Sequence, residues 1–414
     1  MSIGKRRYMK KQSNTPQIRF HNYKELWECD RLKNIFRTIR NAFVGTATPY
    51  YVEKGHFYLE SNNVKNGKIN YNSQIFINDE FYEKQRDKWL KTNDIVMVQS
   101  GHVGHTAVIP KELSNTAAHA LIVFTDYKKK VNPHFLNYQF QSSSKKKELD
   151  LISTGNTIKH ILASEMKSFK MDFPTAEEQS AIGSLFCTLD DLLTSYKDNL
   201  ANYQSLKAAM LSKMFPKAGQ TVPEIRLDGI EGEWTIKRAD EIFKLVSEKN
   251  RASLPVLSAS QIDGMVLRDE IGIDIKYDEA TLNNYKVVKP GQFVIHLRSF
   301  QGGFALSKLE GITSPAYTII DFIDKKDNIP DFWNSILTSR DFIKRLETVT
   351  YGIRDGKSIS FKDFSSLKFA YPELEEQQAI GAYFLNLDNL INSHQEKISQ
   401  LETLKKKLLK DMFI

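Results

Sequence analysis

The chain has 414 residues, with 58 Lys and Arg against 50 Asp and Glu, a net charge of +8, and 41% hydrophobic side chains. That length exceeds one ordinary core, so at least two globular domains are expected, and 20 Gly with 12 Pro exclude a collagen-like or disordered polymer. Cys29 and Cys187 make no disulfide framework, no apolar run approaches the ~20 residues of a membrane helix, and residues 12–19 are polar where a signal peptide would be apolar. Secreted, membrane and disulfide-stapled classes are excluded, and a cytoplasmic protein is expected.

In chain order, a basic tail (1–15) precedes a first globular part (16–172). Residues 1–172 hold 28 basic and 16 acidic side chains. Such an excess suits a polyanionic partner, or an ordinary solvated basic surface. Within this part, Asp94-Ile95-Val96-Met97-Val98 follows Lys91-Thr92-Asn93 and reads as a turn feeding a buried strand. The Gly-containing loop Gln99-Ser100-Gly101-His102-Val103-Gly104-His105 comes next, and a Gly-led loop, Gly155-Asn156-Thr157-Ile158-Lys159-His160, lies further on.

Segment 173–217 reads as a long helix. Thr175 and Glu178 make a capping box, and Pro216 with Gly219 supplies a stop. Between them Ile182, Leu185, Leu189, Leu192, Tyr196, Leu200, Tyr203, Leu206, Met210 and Met214 form one stripe. The second globular part (218–370) is near neutral, with 21 basic and 22 acidic residues. Gln292-Phe293-Val294-Ile295 after Lys289-Pro290-Gly291 reads as another buried strand, followed by the loop Arg298-Ser299-Phe300-Gln301-Gly302-Gly303. A helical pattern runs from Phe332 to Leu346, and the Gly-led loop Gly356-Lys357-Ser358-Ile359-Ser360 follows. Segment 371–414 is a second long helix, with its stripe at Ile380, Tyr383, Leu387, Leu390, His394, Ile398, Leu401, Leu404, Leu408 and Met412. Strands and helices are mixed in each globular part, so the fold class is mixed α/β (α+β).

The halves repeat. Phe173-Pro174-Thr175-Ala176-Glu177-Glu178-Gln179-Ser180-Ala181-Ile182-Gly183 recurs as Tyr371-Pro372-Glu373-Leu374-Glu375-Glu376-Gln377-Gln378-Ala379-Ile380-Gly381, without a gap through Met214-Phe215 and Met412-Phe413. Upstream, Pro16, Ile18, Arg19, Trp27, Arg31, Ile35 and Phe36 match Pro223, Ile225, Arg226, Trp234, Arg238, Ile242 and Phe243. The chain is a tandem duplication of a globular part and a long helix. Each stripe could bury against its own globular part or against the other helix. Pairing is favoured, because a stripe of roughly 50–60 Å outruns a small domain. His394 then reads as a polar residue that sets register.

Enzyme readings fail on the residues. Gly352-Ile353-Arg354-Asp355-Gly356-Lys357-Ser358 is one residue short of a phosphate-binding loop. Asp331, Asp355 and Lys357 fit a permissive nuclease-like pattern, but the first repeat has no counterpart. Asn132-Pro133-His134-Phe135 lacks the second proline of an amino-methyltransferase motif, and no zinc spacing is present. No cofactor and no metal is expected on this chain.

A duplicated chain with one basic half suits a reader of DNA, which needs Arg, Lys, Asn, Gln, Ser or His at base edges and phosphates. Candidate DNA-contacting residues are Gln99, Ser100, His102, His105, Asn156 and Lys159 in the first repeat. In the second they are Arg298, Ser299, Gln301, Arg354, Lys357 and Ser358. Helix pairing or subunit docking falls to Ile182, Leu189, Leu192, Tyr196, Leu200, Ile380, Leu387, Leu390, Ile398 and Leu401.

On its doubled Pro-x-x-x-Glu-Glu-Gln-x-Ala-Ile-Gly helix openings, its Pro-x-Ile-Arg…Trp repeats and its Gly-x-[Ser/Thr]-Ile segments at Gly155 and Gly356, the chain resembles the specificity subunit of type I restriction–modification systems. The resemblance implies two target recognition domains, each reading half of a bipartite double-stranded DNA site. It implies spacer helices paired antiparallel as a coiled coil that fixes the gap. It further implies two modification subunits that bind S-adenosylmethionine, and two restriction subunits that use ATP and Mg. No catalytic residue carries over. Rival readings are a stand-alone tandem DNA-binding protein, a metal-dependent nuclease and an assembly scaffold.

Overall fold

A computed structural model of the chain describes residues 15–155, 159–217, 219–227, 229–260, 263–271, 279–296, 303–349 and 361–414. The chain divides into two compact units, residues 1–197 with 396–414, and residues 198–395. Each unit therefore combines one globular part with an end of each long helix, a division that chain order alone does not suggest.

In the first unit, β1 (Glu28–Arg31) leads through one helical turn into β2 (Phe36–Asn41), and β3 (Ile95–Val98), β4 (Thr106–Val108) and β5 (Leu121–Tyr127) follow. Four of these strands form an antiparallel sheet in the order β2-β5-β3-β4, with Leu121 opposite Val98 and Tyr127 opposite Phe36. Side chains alternate across the pleat. Ile95, Met97, Ile122 and Phe124 enter one core with the helices α1 (Pro133–Gln141) and α2 (Ser143–Ile152). Val96, Val98, Leu121 and Val123 enter a second core on the other face. Burial on both faces explains why β3 reads as a continuous apolar run rather than an alternating one. β6 (Lys170–Phe173) pairs with β1 and feeds α3 (Ala176–Lys213).

The second unit repeats this plan. β7 (Thr235–Arg238), β8 (Phe243–Val246), β9 (Phe293–Ile295), β10 (Phe304–Leu306), β11 (Thr318–Phe322) and β12 (Lys368–Tyr371) give a sheet ordered β8-β11-β9-β10 and the pair β7–β12. The turns before β3 and β9 are also equivalent. Asn93 (φ 70°) and Gly291 (φ 85°) both take the left-handed conformation that Asn and Gly tolerate. The expected helix from Phe332 to Leu346 is two helices, α4 (Pro330–Leu337) and α5 (Arg340–Val349). Between them the Ser339 hydroxyl accepts from the Phe342 N–H at 3.2 Å and starts a new helix. The chain then passes from β12 into α6 (Leu374–Asp411).

The repeated motifs explain each other. Glu178, fully buried, accepts two hydrogen bonds of 2.7 Å from Arg19, and Glu376 is paired likewise with Arg226. Beside each arginine, the Ile18 N–H donates to the Asp411 carbonyl and the Ile225 N–H to the Lys213 carbonyl, both at 2.9 Å. The start of each repeat thus closes the C-terminal end of the other repeat's helix. Gln179 and Gln377 accept from the N–H groups of Asn132 and Ile329, both at 3.1 Å. Gly183 and Gly381 leave room for the starts of α1 and α4. A Cβ on either glycine would lie 2.9 Å from Asn132 Oδ1 or Phe332 N respectively. The capping box at Thr175 is half formed. Its hydroxyl accepts from the Glu178 N–H at 3.4 Å, while the Glu178 carboxylate is committed to Arg19.

Within the first unit, α3 and the end of α6 run antiparallel. Lys405 pairs with Asp190 and Lys197 with Glu402, so numbering rises on one helix as it falls on the other. Within the second unit, Lys207 pairs with Asp388, and Tyr203 meets His394 edge-on at 5.2 Å. The helix ends are core elements. Met412 and Phe413 are buried in the first unit's core, and Phe413 packs 5.7 Å from both Phe135 and Phe186. In the second unit Met214 is buried likewise, and Phe215 packs half-buried against the same core. Of the expected stripe, Ile182, Leu189, Ile380, Leu387 and Leu401 are buried, and Tyr196, Leu200 and Ile398 are half-buried. Leu192 and Leu390 lie off it at 43% and 40% exposure; the buried neighbours are Leu193 and Ile391. Phe186 and Phe384 also point inward, so the stripe near each helix start follows the globular core as well as the partner helix. No described helix is long and apolar enough to cross a membrane.

Removing Arg19 strands a buried carboxylate, so Arg19→Met should cost about 3–5 kcal/mol. Arg19→Met combined with Glu178→Leu should regain most of it. Urea denaturation of the native chain and the two variants checks this, and a double variant no better than the single would show that Arg19 acts through packing alone.

Candidate nucleic-acid interface

The hairpin from β3 to β4 carries Gln99, Ser100, His102 and His105. The Val98 N–H donates to the His105 carbonyl at 2.8 Å and the Gly104 N–H to the Val98 carbonyl at 3.1 Å, closing the loop. Gly101 (φ 79°) and Gly104 (φ 82°) take positive angles that bend it. The segment around Lys159 lies against this loop. Ile161 N–H donates to the Gln99 carbonyl (2.9 Å), Gly101 N–H to the Lys159 carbonyl (3.1 Å), and Ser100 bridges His160. Two loops separated by some fifty residues therefore form one surface. On it His102 and Lys159 are exposed, and Gln99, Ser100 and His105 are half-buried. Lys159 is paired with Asp150 at 2.9 Å. Asn156 lies outside the described residues.

In the second repeat, β9 and β10 form the equivalent hairpin, closed by the His296 N–H donating to the Gly303 carbonyl at 3.0 Å. Arg298, Ser299, Gln301, Arg354, Lys357 and Ser358, and with them Asp355, lie outside the described residues. Asp331 occupies the first turn of α4, where a carboxylate favours the helix dipole. Among the described residues no group of three His, Cys, Asp or Glu is arranged to hold a metal ion.

Sequence reading missed a second element of the first site. Val64–Lys65 and Lys68–Ile69 pair as a hairpin whose turn, Asn66-Gly67, has φ of 52° and 84°. Asn-Gly between β-forming residues is a strong hairpin signal, and it was legible. The turn is seated by Asn137 Nδ2 donating to the Gly67 carbonyl (2.9 Å) and by Asn66 N–H donating to His105 Nδ1 (3.3 Å). Burial, then the positive charges of Lys146, His102 and Lys65, hold the His105 imidazole below the ordinary histidine value. It is therefore a neutral acceptor for Asn66 at neutral pH.

As pH falls, the unfolded chain protonates at this histidine before the folded one does. The stability tied to neutral His105 is present above the unfolded value of about 6.5 and is lost as pH falls through the depressed folded value. Unfolding midpoints in urea should therefore drop between about pH 7 and pH 5 more steeply for the native sequence than for His105→Gln. Equal slopes would remove His105 from the acid response.

Comparison with known proteins gives this arrangement a family. The family model described as type I restriction modification DNA specificity domain matches residues 25–202 and again 231–403. The type I restriction enzyme MjaVIII specificity subunit of Methanocaldococcus jannaschii is 24% identical over 424 residues, covering 96% of this chain and 95% of that protein. The EcoBI specificity subunit of Escherichia coli is 23% identical over 210 residues, covering 49% of this chain and 44% of that one. The crystal structure of a type I restriction–modification S subunit from M. genitalium shares the fold, with a TM-score of 0.62, 15% identity, and coverage of 97% of this chain and 99% of that chain. With two matches spanning most of its length, the chain belongs to the type I restriction modification DNA specificity domain family, and carries that domain twice.

Proposed function

We propose that this chain is the sequence-reading subunit of a type I restriction–modification complex, and that each repeat reads one half of a bipartite double-stranded DNA site. One observation carries the reading. In a chain of the specificity family, the same sheet occurs twice with a β-hairpin at the same place, β3–β4 and β9–β10, each bearing a polar Gly-containing loop. The surface formed by Gln99, Ser100, His102, His105 and Lys159 supplies amide, hydroxyl, imidazole and ammonium groups of the kind that meet base edges and phosphates. Methyl transfer from S-adenosylmethionine belongs to two modification subunits, and ATP- and Mg-dependent restriction to two further subunits, all acting in the cytoplasm. This chain directs them and breaks no bond itself.

The test is exchange. Residues 16–172 replaced by the matching part of a relative, with Met412 and Phe413 retained, should change one half of the methylated site when the complex is assembled and methylated adenines are mapped. A change in both halves, or a shifted gap, would overturn the modular reading.

In this reading the paired helices set the gap. Four residues inserted after Lys197 and again after Gln395, at the limits of the two compact units, add roughly 6 Å and turn each helix about 40° beyond a full turn. At about 3.4 Å per base pair, the gap should lengthen by one or two base pairs with both half-sites kept. An unaltered gap with full methylation would show that the helices are not the ruler.

A further inference from the structure

Beside the loop surface of the first unit lies a groove of about 600 Å³, bordered by the Asn66-Gly67 hairpin, α2 and the paired helix ends. Its lining is strongly cationic. Two carboxylates are present, and both are satisfied. Asp190 accepts from Lys405 and from the Tyr138 hydroxyl, and Glu402 pairs with Lys197 at 2.6 Å. Lys68 is spent on the Asp190 carbonyl and the Thr194 hydroxyl, both at 3.0 Å. That leaves Lys65, Lys146 and Lys406, all exposed, with no carboxylate partner among the described residues.

Three unneutralised ammonium groups in one groove repel each other, so such a set is stable only where solvent or an anion compensates it. Lys65 and Lys146 also raise the positive field at His105, which joins the groove to the loop surface. At the aligned helix positions the other repeat differs. Its helix has Ala208 where α6 has Lys406, and Gln395 where α3 has Lys197. By sequence the first unit carries +11 and the second −3.

We infer that Lys65, Lys146 and Lys406 bind the phosphate backbone of the DNA, giving the first unit a sequence-independent grip that the second lacks. This rests on the DNA-reading function proposed above and adds the residues that hold the polymer without reading it. Recognition is then asymmetric. The first unit supplies most of the salt-sensitive affinity, and the second contributes mainly selection.

The experiment uses the complex of this chain with its modification subunits, and measures affinity for site DNA and for unrelated DNA of equal length across a potassium chloride series. Each phosphate contact contributes about 0.9 to the slope of log affinity against log salt. The variant Lys65→Gln/Lys146→Gln/Lys406→Gln should lower that slope by about 2–3, weaken both DNAs by the same factor, and leave the methylated sequence unchanged. The corresponding triple arginine variant should keep the native slope. Should the triple glutamine variant not fold, Lys406→Gln alone should lower the slope by about 0.9. An unchanged slope, a loss confined to site DNA, or failure to assemble with the modification subunits would each overturn the inference, the last by marking the groove as a protein-docking face. Native complex that methylates no bipartite site would instead sink the underlying function, and the slopes would still report the groove.

Discussion

A fully buried carboxylate at the start of each long helix sets the terms for the rest of the molecule. Placing Glu178 or Glu376 in a core is costly, and only a close, two-pronged partner offsets that cost. Arg19 and Arg226 supply it, and each arginine brings with it the adjoining Ile18 or Ile225, whose N–H closes the far end of the other repeat's helix. One ion pair therefore fixes three things together: where a repeat begins, where its own helix begins, and where the opposite helix ends. The arrangement is made twice but tuned differently. Glu376 also accepts from the Trp234 indole at 3.1 Å, whereas the buried Trp27 indole N–H has no partner among the described residues.

Much of this scaffold was legible in the sequence. The duplication, the two long helices and the buried strands at Ile95–Val98 and Phe293–Ile295 all stand on periodicity and composition that local structure must obey. Less legible was what the periodicity served. Leu192 and Leu193 are both leucines, and a stripe drawn through Leu192 fits helical spacing; the buried one is Leu193, because the helix start faces a globular core and not only another helix. The doubled Glu-Glu-Gln motif announced itself as a repeat without disclosing that its second glutamate was waiting for an arginine some 150 residues away. Long-range pairing leaves no local period, so sequence spacing cannot report it.

The candidate interface shows the same division. That Gln99–His105 and the segment around Lys159 were both polar and Gly-containing could be read off, but that backbone hydrogen bonds stitch them into one surface could not. The Asn66-Gly67 turn marks the hairpin at residues 64–69 locally, but the Asn137 and His105 contacts that seat it come from distant parts of the chain. What occurs once sets the two units apart. The scaffold is shared, and the charge is not.

Because Phe413 completes the core around Trp27, Phe135 and Phe186, the first unit cannot finish folding when its own globular part leaves the ribosome. About two hundred residues separate the end of α3 from Phe413. At roughly 5–20 residues per second, synthesis of that stretch takes on the order of ten to forty seconds. For that interval the aromatic seat for Phe413 stands open on a nascent chain, and the end of α3, already made, has no second core to enter. A duplicated protein whose repeats finish each other thus carries a delay in its own birth, set by the length of the second repeat.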